Sequence, residues 1–201
     1  RTPGGQARIP MPRGGVVKAA EQFGGKRTDW LRRQINRMAA RPVSNTTWQI
    51  GTEILFRGEM VRIAAGVEDQ STITFADQTV RLSGEDQDLR PAIERHLHRL
   101  AAVELPPKVF LHAQQHGLQV NRVSVRNQKS RWGSCSRRGT ISLNWRLIQA
   151  PAFVLTYLIL HELMHLRQMN HSPKFWREVE AVCPSCREAE RWLKQHSSLL
   201  R

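Results

Sequence analysis

Three histidines and a glutamate stand close together in the segment LILHELMHLRQMNHSPKFW, at His161, Glu162, His165 and His171. His161 and His165 are spaced i, i+4, so on a helix they project from one face a turn apart and can offer two imidazole nitrogens to one cation. Glu162 beside them has the type and place of a residue that does not bind the metal but takes a proton from the water it activates. A catalytic zinc takes three protein ligands and leaves a fourth position to water. His171 is the expected third ligand, with Glu178 or Glu180 as a carboxylate alternative. Ser172 can cap a new helix and Pro173 can occupy its first turn, so the chain should break and reverse where His171 stands. The spacing from His161 to His171 is that of the metzincins, but Gln168 takes the place of their turn glycine, and a different turn is expected. The rival reading is a helix that fits a short pattern by chance. Against it, Leu158, Ile159, Leu160, Leu163, Met164 and Leu166 make the helix apolar nearly all round. Such a helix is buried, and buried His or Glu is costly unless paired or bound to metal. Zn2+ is the expected ion, and imidazole suits other divalent metals as well.

The elements that must position these residues follow from periodicity. Helices are expected over 152–169, 173–182 and 185–196. Before them, TISLNWRL alternates as a strand with Ile141, Leu143 and Trp145 on one face, and 119–126 alternates more weakly. From residue 88 apolar residues recur every three or four positions, predicting a helix that ends before Pro106 and Pro107 and a second over 108–116 that stops at Gly117. Two β-rich segments at 52–63 and 71–82, each with a polar turn in its middle, predict hairpins of a small antiparallel sheet. Residues 28–40 read as a helix capped by Thr28, and 1–15 as an extended basic arm or the remnant of an upstream strand. The expected organisation is an N-terminal lobe at 1–87 and a metallohydrolase domain at 88–201.

Other residues are weaker candidates. Asn144 and Arg146 alternate away from the strand's apolar face and meet either a ligand or water. Arg131 and Trp132, at a turn near that strand, either hold an anionic group or stack on the surface. Tyr157, one turn before His161, either stabilises an oxyanion or is a core ring with a polar tip. Cys183 and Cys186 form a CxxC, with Cys135 the other thiol; too few ligands accompany them for a structural zinc, and free thiols are expected.

Lys and Arg number 31 against 17 Asp and Glu, a formal charge of +14. Such a surface attracts phosphates, nucleic acid or acidic peptides. KRTDWLRRQINR and RNQKSRWGSCSRR interleave aromatic residues with cations, which leaves a nucleic-acid association open. The apolar run at 152–160 is cut by His161 and Glu162, so no membrane span is expected. An odd cysteine count argues against a disulfide framework and for a reducing cytoplasm. The chain starts at Arg1 without a signal-like apolar core, so further residues are expected upstream. Oligomeric state leaves no mark.

SRWGSCSRRGTISLNWRL followed by HELMHLRQMNHSPKFW closely resembles the YgjP-like family of metal-dependent hydrolases, grouped with the small zincins. The likeness is strongest over 123–192, and KRTDWLRRQINRMAARP extends it upstream. The family's metal-site residues match His161, Glu162, His165 and His171, and its Trp-Gly-Ser-Cys segment matches Trp132 to Cys135. The resemblance implies that TISLNWRL is an edge strand able to pair with an extended substrate. The expected fold is α+β, with a zincin-like catalytic half of short sheet and metal helix and a small β-containing N-terminal lobe. The expected function is a zinc-dependent metallopeptidase with Glu162 as general base. The alternatives are hydrolysis of nucleotides or other anionic, phosphate-containing small molecules, and a nucleic-acid-binding module whose metal is structural.

Overall fold

The computed structural model describes residues 47–66, 71–84 and 87–200. The expected arm at 1–15 and helix at 28–40 lie outside them. Strands β1 (Glu53–Phe56) and β2 (Glu59–Arg62) form one antiparallel hairpin; β3 (Ala64–Ala65), β4 (Thr72–Phe75) and β5 (Gln78–Arg81) form a second small antiparallel sheet. The first hairpin turns on Arg57 and Gly58, both at positive φ of 50° and 91°, the backbone of a tight two-residue turn. Gly58 then donates to the Gln149 carbonyl at 2.8 Å. A Cβ there would lie 2.7 Å from Pro151 Cγ, so the absent side chain lets the hairpin dock against the residues that launch the metal helix.

Helix α1 (Arg90–Gln115) runs through Pro106 and Pro107 without a break, where two helices were expected. Proline removes a donor from the helix ladder and crowds the preceding turn. Packing holds the helix together: Ile93, Leu97, Ala101, Leu105 and Val109 recur every four residues across the prolines, and all are fully buried. The carbonyls left without donors belong to Ala102 and Val103, both exposed residues that water can serve.

A mixed sheet follows: β6 (Arg122–Arg126), β7 (Gly133–Cys135) and β8 (Thr140–Asn144), in the order β6-β8-β7. β8 pairs parallel with β6 and antiparallel with β7. TISLNWRL is therefore the centre of this sheet and not its edge, and its residues from Ile141 to Asn144 are buried on both faces. The strand also ends at Asn144, because Trp145–Gln149 winds into a 3-10 turn in which the Arg146 N–H is capped by the Asn144 side chain.

Helix α2 (Ala152–Met164) comes next, then α3 (Pro173–Val182) and α4 (Cys186–His196). Val154, Leu155, Leu158, Ile159, Leu160 and Leu163 bury α2 on almost every side. The α+β class holds. Thr47–Arg201 is one compact unit, with the hairpins, α1, the mixed sheet and α2 sharing a single core. Among the described residues no helix is long and apolar enough to cross a membrane. Cys135, Cys183 and Cys186 are all free thiols.

Candidate metal centre

α2 carries His161 and Glu162 in its last turn, and His165 stands at its C-cap. The helix stops there and not at residue 169. Leu166, Arg167 and Gln168 close tight backbone bonds onto Leu163 and Met164, and the Gln168 carbonyl accepts from His165 Nδ1 at 3.0 Å. That turn sends the chain back toward the helix. Ser172 Oγ then accepts from the Phe175 amide at 3.4 Å, with Pro173 in the first turn of α3, the restart read from the sequence.

The reversal brings His171 to the other two histidines. His161, His165 and His171 offer ligand atoms that all lie within 4.8 Å of one another. His161 Nε2 and His171 Nε2 face each other at 3.1 Å. Two zinc–nitrogen bonds of roughly 2.05 Å at the tetrahedral angle would hold nitrogens about 3.3 Å apart, close to that separation. A carbonyl only accepts, so the Gln168 bond puts the His165 proton on Nδ1 and leaves its Nε2 lone pair available. Burial, then the neighbouring His165 and His171, push the His161 pKa down to about 4. Burial also lowers His165, against the Gln168 bond. Neutral imidazoles are the form that binds a metal. The residues present fit a divalent ion.

The rings rest on a residue the sequence reading passed over. Phe175 is fully buried; it stacks on His165 at 4.4 Å between centroids and meets His161 and His171 edge-on at 5.0 and 4.9 Å. Its signal was its place in the first turn after the Ser172 cap, which turns it back onto α2.

Glu162 is 5% exposed, and burial raises its pKa to about 7 against the pull of the Arg131 cation. It reaches the centre beside β7. Gly133 and Cys135 pair opposite Leu143 and Ile141 and so share one face of the sheet, the face on which Glu162 lies against Gly133. A cleft of about 400 Å³ gathers Arg131, Trp132, Gly133, Ser134, Cys135, His161, Glu162, His165 and His171. Arg131 and Trp132 are thus where a substrate-binding role would need them.

Asn144 and Tyr157 are not. Asn144 is 1% exposed, and its amide donates to the Gln128 and Arg131 carbonyls at 2.7 and 3.2 Å. With its oxygen capping the 3-10 turn, the whole side chain is committed to shaping the loop behind Arg131. Tyr157 is 3% exposed and donates its hydroxyl to Glu190 at 3.1 Å, behind His161 and away from the cleft. Glu178 and Glu180, the carboxylate alternatives, are not part of the three-histidine group of ligand atoms.

A family model described as "YgjP-like, metallopeptidase domain" matches residues 1–196. The chain belongs to the YgjP-like metallopeptidase family. Two solved structures similar to this YgjP-like chain are metallopeptidase zymogens. Abylysin of Pyrococcus abyssi is 31% identical over 44% of this chain and 92% of its own, with a TM-score of 0.40. Jannalysin of Methanocaldococcus jannaschii is 24% identical over 46% and 95%, with a TM-score of 0.41. Comparison with curated proteins gives no match.

Proposed function

We propose that this YgjP-like chain is a zinc-dependent peptidase in which His161, His165 and His171 hold the metal and Glu162 is the general base. The observation that carries this reading is the convergence of three imidazoles in the cleft that Glu162 also lines. A zinc ion bound there would activate water and polarise a carbonyl. Glu162, raised toward neutrality by burial, has the proton affinity to take the water's proton and return it to the leaving amine. β7 is the edge strand that TISLNWRL is not. Among the described residues Gly133–Cys135 has β8 on one side only and borders the cleft, so an extended peptide can add to it and bring a scissile carbonyl toward the histidines.

Arg131 at the cleft is the observation that favours hydrolysis of a phosphate-containing substrate instead. The open strand edge favours peptide, because main-chain pairing serves a chain and not a small anion. A nucleic-acid module with a structural metal has no use for a carboxylate in the metal cleft.

Metal analysis and a screen of peptides and nucleotides test the reading. Glu162→Gln is expected to keep stoichiometric metal and lose about 10²- to 10⁴-fold in peptide turnover, the usual contribution of a general base. Unchanged turnover in that variant overturns Glu162 as base. Turnover of nucleotides alone overturns the peptidase.

A further inference from the structure

We propose that Tyr157 and Glu190 form a relay that fixes which nitrogen of His161 carries its proton, and so sets how tightly the site holds its metal. The metal half of this rests on the function proposed above; the proton placement does not.

The relay follows from counting donors. Tyr157 O stands 3.1 Å from Glu190 Oε1 and 3.5 Å from His161 Nδ1. A phenol has one hydrogen to give, and an ionised carboxylate can only accept. The hydroxyl hydrogen therefore belongs to Glu190. A phenol is protonated at neutral pH, so the ring keeps that hydrogen. Its oxygen can then serve His161 only as an acceptor, which requires the proton on Nδ1 and leaves a bare Nε2. That Nε2 is the atom facing His171.

His165 reaches the same protonation by another route, through the Gln168 carbonyl. For His165 the partner comes from the turn that follows it. For His161 the partner is held by α4, through a residue distant in sequence. Glu190 is itself anchored: its Oε2 lies 3.8 Å from Arg187 Nη1, and Arg187 Nη2 binds Glu180 of α3 at 2.6 Å. This arrangement leaves Oε1 aimed at the phenol. α4 thus acts on the metal centre without lining its cleft, as the outer partners of ligating histidines do elsewhere.

Glu190→Leu removes the acceptor and frees the phenol hydrogen to turn onto His161 Nδ1. The ring should then shift its own proton to Nε2, the ligating atom. Tyr157→Phe removes the acceptor for Nδ1–H without changing the ring's packing. Glu190→Gln keeps an oxygen to accept from the phenol. The two readouts are the His161 tautomer, by ¹⁵N NMR of chelator-treated protein near pH 7.5, and the zinc dissociation constant by chelator competition. Wild type is expected to show Nδ1–H, Glu190→Leu mainly Nε2–H, and Tyr157→Phe a mixture. Zinc binding should weaken roughly 10- to 100-fold in Glu190→Leu and Tyr157→Phe, the range found for lost second-sphere partners, and stay near wild type in Glu190→Gln. A tyrosine that merely fills the core predicts no change in tautomer, and Nδ1–H in Tyr157→Phe with an unchanged zinc constant overturns the relay. If Glu190→Leu does not fold, the isosteric Tyr157→Phe decides the matter alone. Wild-type protein that binds no zinc overturns the metal reading, while the tautomers still decide the relay.

Discussion

Gly133 on the edge strand lies directly against Glu162 on the metal helix, so closely that a Cβ on the glycine would stand 2.7 Å from Glu162 Cγ and 2.8 Å from its carboxyl carbon. The glycine is required for space and not for backbone freedom, since its φ lies outside the left-handed range. Gly133→Ala should therefore displace the carboxylate while leaving the three histidines in place. A misplacement of about 1 Å can cost on the order of 10²-fold in rate. Peptide turnover should fall by about that factor with zinc content unchanged. Wild-type turnover in the alanine variant would show that this contact does not position Glu162.

Phe175 supports the metal centre and the core at once, since it is fully buried and touches all three histidine rings. Phe175→Ala should cost about 3–5 kcal/mol of stability, the usual penalty for emptying a buried aromatic site. Phe175→Leu should recover much of that stability but not the stacking on His165. Urea unfolding and zinc affinity, measured on both variants, separate the two effects.

Removing the metal should destabilise the fold. An ion that binds only the native state adds about 2.7 kcal/mol at a free concentration 100 times its dissociation constant. Excess chelator should therefore lower the Tm and abolish turnover, and stoichiometric zinc should restore both. A Tm indifferent to chelator in protein shown to carry zinc would mean that the ion does not bind the folded site selectively.

Acid should weaken the junction between α1 and the small sheet. His96 bonds Gln78 Oε1 at 2.8 Å and meets Phe75 edge-on; burial first, then the Arg99 charge, lower its pKa. The unfolded chain thus binds the proton more readily than the folded one. The stability due to neutral His96 is complete above its unfolded pKa of about 6.5 and is lost as pH falls toward the folded value. The urea midpoint should drop from pH 7.5 to 5.5, and His96→Gln should reduce that drop. An equal drop in the variant would assign it to other groups, of which His112, lowered chiefly by burial, is one.

Pro107 is an exposed residue in the interior of α1. Pro107→Ala returns a donor to the Val103 carbonyl and relieves crowding in the preceding turn, an effect of up to about 3 kcal/mol. The greater freedom of alanine in the unfolded chain offsets about 0.4–1 kcal/mol of it. The Tm should rise. A lower Tm would mean that the proline shapes a bend on which the packing of Leu105 and Val109 depends.

The sequence by itself determined what depends on near neighbours along the chain. The i, i+4 spacing of His161 and His165, the apolar surround that buries them, and the Ser172–Pro173 restart that returns His171 are local, and helix geometry turns them directly into positions in space. Tertiary structure decided the rest. A strand's alternation is the same at the edge of a sheet as near its centre, so only pairing could put TISLNWRL between β6 and β7 and leave Gly133–Cys135 as an edge among the described residues. Two prolines forbid a helix on local grounds, and a buried stripe from Ile93 to Val109 overrode them. Asn144 and Tyr157 carry polar groups that suit a substrate, yet their partners are the Gln128 carbonyl and Glu190. Those partners lie 16 and 33 positions away in the chain. Burial obliges a polar group to find a partner, but which partner it finds is fixed by the contacts that fold the chain.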